Sequence, residues 1–191
     1  KGRSYARGRQ FLPPSDTTHT LQRTAPAIGR HKPARVIALG DSFHDKDAAY
    51  RLGPEERGLL QSLCRAAHFV WIAGNHDPHP PDWLGGEVAA SFRLGGLLLR
   101  HEPGAMFQPG EVAGHLHPCA SVARWGRSVR RRCFVSDGIR LILPSFGAYT
   151  GGLDVGDTAI ASLFAGPFHA YMLGRSRVYA IARRAAARRA V

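Results

Sequence analysis

Apolar positions in this chain gather in short runs that end at glycines. Ala34-Arg35-Val36-Ile37-Ala38-Leu39 is apolar and rich in β-branched residues, and stops at Gly40, which predicts a buried strand. His68-Phe69-Val70-Trp71-Ile72-Ala73, ending at Gly74, predicts a second. Between them Gly53-Pro54-Glu55-Glu56 opens a helix: proline suits a first turn, and acids suit the positive end of the dipole. Leu59, Leu60, Leu63 and Ala67 then recur at helical spacing and predict one buried face. Strand, helix and strand in this order form a βαβ unit, so the two strands are expected to be parallel. Upstream, Ser15 and Asp16 are able to cap a helix that runs to about Ile28, with Pro26 a candidate early stop. The basic, turn-rich opening from Lys1 to Pro14 reads as loop.

The second half carries hairpin signals instead. Val88 to Arg93 and Leu97 to His101 flank Leu94-Gly95-Gly96; Val129 to Val135 and Ile139 to Leu143 flank Ser136-Asp137-Gly138; His169 to Leu173 and Arg177 to Ile181 flank Gly174-Arg175-Ser176. An α/β front followed by antiparallel strands predicts a mixed α/β fold, with two packed β-sheets flanked by helices. No repeat, low-complexity linker or second domain interrupts the pattern, so the expectation is one domain over residues 1–191 with a basic tail at 183–191.

Composition narrows this picture. The 191 residues are 44% hydrophobic and 21% charged, which suits a domain with a sizeable core. No apolar run is long enough to span a membrane. The three cysteines, Cys64, Cys119 and Cys133, are sparse and unclustered, which argues against a disulfide framework or a thiolate zinc site. That pattern fits a reducing compartment and so a cytoplasmic protein, with the three thiols ordinary buried or half-buried groups. The net charge of +12 favours polyanionic partners, nucleic acid first. Compositional bias toward arginine accounts for part of it, but the clustering of Arg124, Arg127, Arg130, Arg131 and Arg132 points to a nucleic-acid contact. The C-terminal cluster, Arg183, Arg184, Arg188 and Arg189, reads as a solvated tail or a weaker contact.

Four segments carry candidate chemistry: Gly40-Asp41-Ser42-Phe43-His44-Asp45, Gly74-Asn75-His76-Asp77, the single His101, and Gly114-His115-Leu116-His117. The first two follow the parallel strands, whose carboxyl ends are where α/β proteins place ligands. Imidazole, carboxylate and amide oxygen together suit Zn, Mn or Fe better than Ca or Mg alone. Two such cations, about 3.5–4 Å apart, clamp a phosphate ester and make hydroxide available at neutral pH. Each segment alone has a plainer reading: a turn after a strand, a satisfied histidine, a chance pair among ten histidines. Their combination, in this order and at strand ends, favours a metal site.

The order Gly-Asp, Gly-Asn-His-Asp, His, Gly-His-x-His resembles the calcineurin-like metallophosphoesterases. Gly40 to Asp45, the Lys1-Gly2-Arg3-Ser4-Tyr5-Ala6-Arg7-Gly8 opening and Leu143-Pro144-Ser145-Phe146-Gly147-Ala148-Tyr149-Thr150-Gly151-Gly152 resemble the ligase-associated DNA damage response branch. The resemblance implies an αββα sandwich and a phosphodiesterase or endonuclease that uses two divalent metal ions, with manganese favoured and zinc or iron as alternatives. It implies a DNA substrate, and a DNA ligase and a helicase of the same repair system as partners. Asp41 would bridge the metals. Asn75, His101 and His115 would complete the second metal's shell, and His117 would serve the first. His76 would protonate the leaving oxygen or stabilise the charge on it, with Asp77 orienting it. Metal-bound hydroxide would attack the phosphodiester.

Two departures stand out. Relatives place an acid three positions after the Gly-Asp; here His44 stands there with Asp45 beside it, and either is a candidate partner of His76. The family's first strand ends in Asp-x-His. The earliest candidate here, Asp16-Thr17-Thr18-His19, has the wrong spacing and lies on a predicted helix. The expectation is therefore that the first strand is missing from this chain, so that the chain as given holds at most one metal well and is impaired, whereas the full-length protein binds two. The alternatives are a metallophosphatase for small substrates and a non-catalytic nucleic-acid-binding subunit of a repair complex.

Overall fold

The computed structural model describes residues 16–43, 45–106 and 108–184. The chain divides into two compact units. One runs through Phe92 and takes in Phe146–Tyr149; the other comprises Arg93–Ser145 and resumes at Thr150. The architecture is mixed α/β, two sheets flanked by helices.

In the first unit, α1 (Asp16–His31) precedes β1 (Arg35–Ala38), α2 (Pro54–Ala66), β2 (His68–Ile72) and β3 (Glu87–Ala89). The expected βαβ unit is present: β1 and β2 pair in parallel from Arg35↔His68 to Ala38↔Trp71. Proline opens α2 as its pattern requires, and the Gly53 N–H donates to the Glu56 carboxylate, satisfying one orphan group at the helix start. Leu60, Leu63 and Ala67 are buried, but Leu59 is 36% exposed, so the buried face is narrower than its spacing implied. Pro26 does not stop α1, which continues to His31. Leu21 before it and Ile28 after it both enter the core with Phe69 and Trp71, and that packing outweighs the lost backbone hydrogen bond. Thr18 Oγ1 donates to Glu56 at 2.8 Å and ties α1 to α2.

The second unit is built on an eight-stranded sheet in the order β11-β10-β8-β9-β6-β5-β4, with β7 paired onto β8. The strands of this sheet are β4 (Ser91–Leu94), whose first two residues belong to the first unit, β5 (Leu97–Arg100), β6 (Glu111–Ala113), β7 (Cys119–Arg124), β8 (Arg127–Ser136), β9 (Leu141–Ile142), β10 (Phe168–Leu173) and β11 (Val178–Arg183). The hairpins around Ser136-Asp137-Gly138 and Gly174-Arg175-Ser176 form as expected, with Val135↔Ile142 and Leu173↔Val178 in register. The first arm of the remaining expected hairpin divides at Ala90. Glu87–Ala89 joins β2 in the first sheet, and only Ser91–Leu94 lies beside β5. The strands are not all antiparallel either: the fully buried β6 runs parallel to both β5 and β9, because the long connections on each side return the chain in the same direction.

Val135, Ile142, Phe164, Phe168 and Ala170 form the core of this unit with Ile160 of α3 (Thr158–Ala161), whose first turn Asp157 caps through the Ala159 N–H. Arg183 ends β11 opposite Phe168, whereas Arg188 and Arg189 of the expected tail, like the Lys1–Gly8 opening, lie outside the described residues. No helix among the described residues is long and apolar enough to cross a membrane.

Candidate metal centre

The first group of candidate ligands lies on the loops that leave β1 and β2. Beyond β1 the backbone turns through Gly40 and Asp41, both with positive φ (80° and 50°), a conformation that Asp tolerates better than most residues. Asp77, only 2% exposed, reaches across from the second loop. Its Oδ1 accepts the Asp41 N–H at 2.8 Å and its Oδ2 accepts the Phe43 N–H at 2.9 Å. Burial pushes the Asp77 carboxyl above the usual carboxylate range, and these N–H donors act in the opposite direction. In return, Asp41 Oδ1 accepts the His76 N–H at 3.0 Å. Asp41, Asn75, His76 and Asp77 thus form one cross-linked pair of loops, with the Asn75 and His76 side chains exposed and Asp77 beneath them. The structure gives Asp77 the task of holding Asp41's loop, which the sequence did not reveal.

Gly74 makes this possible. A Cβ there would sit 2.2 Å from Asp41 N, 2.3 Å from Asp41 Oδ1 and 2.5 Å from Asp77 Oδ1, so only glycine lets the loops approach.

The second group is in the other unit. His101, 5% exposed, follows β5, and its carbonyl accepts the Gly114 N–H at 3.0 Å, which brings the end of β6 alongside. There His115 Nδ1 lies 3.1 Å from His101 Nε2, the rings meeting edge to face with centroids 4.9 Å apart. His115 and His117 both hold positive φ (58° and 48°), an uncommon conformation for histidine that marks a constrained loop. Gly152 supports that loop: a Cβ on it would lie 1.8 Å from the His117 carbonyl oxygen. The glycine of the conspicuous Leu143–Gly152 segment therefore has a packing reason.

Donor chemistry fits a divalent cation. Two nitrogens each about 2.0–2.1 Å from a common metal stand roughly 3 Å apart, close to the His101–His115 separation of 3.1 Å. Carboxylate and imidazole together suit a transition metal. Of the expected supporting residues, Asp45 accepts from the Asp47 N–H and from Arg51, while His44 lies outside the described residues. The arginine cluster falls on one hairpin: Arg124 closes β7 opposite Arg127, and Arg130, Arg131 and Arg132 follow on β8.

A buried ion pair that sequence reasoning missed fixes the loop after His101. Glu111 and Arg140 meet at 2.7 Å, and Arg140 also donates to the carbonyls of Gly104, Met106 and Leu163.

No protein-family model and no curated protein matches the chain. A solved structure does: the Pseudomonas putida nuclease MPE, at 29% identity and a TM-score of 0.68, over 89% of this chain and 81% of that one. The chain has a metallophosphoesterase fold. A Vps29 double mutant from Entamoeba histolytica aligns over 85% of this chain and 88% of its own at 15% identity, but its TM-score of 0.32 is too low to add to that statement. In a metallophosphoesterase fold, two strand-end loops bearing Asp41 and Asn75 and a histidine pair after β5 and β6 supply the donor types that a metal-dependent phosphoesterase needs.

Proposed function

We propose that this chain is a metal-dependent phosphodiesterase that acts on nucleic acid. Its proposed metal ligands are Asp41, Asn75, His101, His115 and His117. The observation that carries the reading is the His101–His115 nitrogen pair at 3.1 Å in a chain whose fold matches a nuclease at 29% identity. A divalent cation at these residues, manganese first, would polarise a phosphoryl oxygen and acidify a bound water.

The chain's own residues do the rest. The His76 N–H donates to Asp41 Oδ1, which holds the exposed His76 on the same pair of loops as that carboxylate. From there it gives a proton to the leaving oxygen as the P–O bond breaks. Asp77, through the Asp41 and Phe43 N–H groups, holds the backbone of Asp41's loop and acts as a positioning residue. The net charge of +12 supports a polyanionic substrate, and the proposed setting is DNA repair in the cytoplasm alongside a DNA ligase and a helicase.

The test is hydrolysis of bis(p-nitrophenyl) phosphate and of single-stranded DNA with added manganese. His76→Ala is expected to lower turnover about a hundredfold or more while metal binding persists. Unchanged turnover removes His76 from the mechanism. Hydrolysis of mononucleotides but not DNA replaces the nuclease reading with a small-substrate phosphatase. Absence of any metal-dependent hydrolysis leaves a nucleic-acid-binding subunit.

A further inference from the structure

The β7–β8 hairpin leaves its sheet. Only Cys133 to Ser136 of β8 pair with β10 or β9, whereas the preceding half, Arg127 to Arg132, pairs with β7 alone. Residues 127–131 are exposed without alternation, and the cross-strand pair Val122 and Val129 is 38% and 43% exposed. A two-stranded ribbon whose outer half is this exposed gains little from its own burial.

Its tip is also unusual. The loop is Trp125-Gly126, and both residues have positive φ (50° and 71°), the pattern of a tight turn in which Asn, Asp or Gly is ordinarily found first. Here the first position holds a tryptophan that is 86% exposed. A strained backbone and a large apolar ring in solvent both count against the isolated chain.

Strand alternation sorts the arginines. Arg130 and Arg132 share one face and donate to the carbonyls of Gly152 and Thr150, at 2.7 and 3.2 Å, next to the Ser121–Asp154 hydrogen bond. Arg127 and Arg131 alternate to the opposite face with Val129, and both are exposed. Arg130 and Arg132 are therefore tied to the protein, whereas Arg127 and Arg131 lie on the other face, exposed, with Arg131 donating to the Arg130 carbonyl at 3.2 Å.

We propose that this ribbon is a nucleic-acid-binding arm. Trp125 stacks on an unpaired base, and Arg127 and Arg131 hold the adjoining phosphates, while Arg130 and Arg132 brace the arm. The charge complementarity is direct: arginines and an aromatic ring form the platform that single strands use. The proposal rests on nucleic acid being the substrate, and it selects strands with unpaired bases over uninterrupted duplex.

Binding of labelled oligothymidylate and oligouridylate to the full chain, measured by anisotropy in EDTA, separates this from the hydrolytic reading. Trp125→Asn places a favoured residue in the turn, so the melting temperature is expected to hold or rise while affinity falls about tenfold. The double variant Arg127→Gln, Arg131→Gln is expected to reduce the salt dependence of binding by about 0.7 per arginine removed. Hydrolysis of bis(p-nitrophenyl) phosphate should be the same in these variants as in the parent. Unaltered affinity in Trp125→Asn and an unaltered salt slope overturn the arm even if the ester is cleaved. Loss of binding in both variants, without any ester cleavage, upholds the arm and removes the hydrolase reading instead. Weak binding to either oligonucleotide alongside Trp125-dependent binding to phosphatidylserine vesicles overturns it in favour of a membrane contact.

Discussion

The Asp77 carboxylate accepts the backbone N–H of Asp41 at 2.8 Å, so the position of the proposed bridging ligand is set by a residue on the neighbouring strand-end loop. Asp77→Asn keeps the shape but turns an amide NH2 toward one of two N–H donors. One hydrogen bond is lost and two donors face each other in a buried position, at a cost of about 1–3 kcal/mol. Thermal denaturation should show that loss, and calorimetric titration with manganese should show weaker binding. Full metal affinity in a destabilised Asp77→Asn protein would leave Asp77 a purely structural residue.

Glycine positions offer a sharper comparison. Gly74→Ala and Gly152→Ala each place a methyl group within 2.3 Å of backbone atoms of Asp41 or His117, and both are expected to lose most hydrolytic activity. Gly58, in α2, has nothing within 4 Å of its Cβ position, so Gly58→Ala should stabilise the helix by about 0.5–1 kcal/mol and leave activity alone. Melting temperatures and turnover of the three variants, measured side by side, check the contrast.

Much of this was readable from sequence, for reasons particular to each element. Strands β1 and β2 are continuous apolar runs closed by glycine, and α2 opens on proline and two glutamates, so period and caps agreed. Strand β7 gave no such signal: Val122 is exposed and the segment is short of buried alternation, so only its partner β8 was anticipated. The division between β3 and β4 falls at Ala90, where no turn residue announces it. At the site, Asp41, Asn75, His101 and His115 were legible as donor types after strands. What Asp77 and Gly152 do was not, because both act on backbone groups remote in sequence.

The histidine pair makes its own prediction. With no cation, a proton between His101 Nε2 and His115 Nδ1 satisfies both rings; with a cation, both nitrogens turn their lone pairs to it. Divalent metal should therefore raise the melting temperature, by about 2.7 kcal/mol of stability at a hundredfold excess over the dissociation constant. His101→Ala and His115→Ala should each abolish the rise, and dialysis against EDTA should reverse it in the parent. A metal-induced rise that survives both substitutions would place the cation elsewhere.

Thiol ionisation predicts the alkaline limit. Burial pushes the Cys133 thiol from an ordinary 9.0 up to about 12, and Cys64 up to about 11. A value raised in the folded state means that the neutral thiol is favoured there, so its contribution is complete below pH 9 and is lost as the pH climbs toward 12. Melting temperature should fall over that range, and Cys133→Ala should flatten the fall even if it lowers the plateau. An unchanged slope would assign alkaline unfolding to other groups.

The Glu111–Arg140 pair is the most demanding contact in the second unit. The Glu111 carboxylate is fully buried, yet it faces Arg140 at 2.7 Å, accepts the Gly104 N–H at 2.8 Å and lies 3.5 Å from Arg100. Arg140 also donates to three carbonyls, two of them in the loop that follows His101. Removing either partner strands a charge in the interior, so Arg140→Met and Glu111→Leu are each expected to cost about 3–5 kcal/mol. The double variant removes both charges and should recover part of that loss, although the carbonyls of Gly104 and Met106 stay unpaired. Because those carbonyls anchor the loop, the double variant should fold but bind metal less tightly than the parent. Denaturant unfolding and metal titration of the three proteins separate the two effects: stability tracks the charge, and metal affinity tracks the loop.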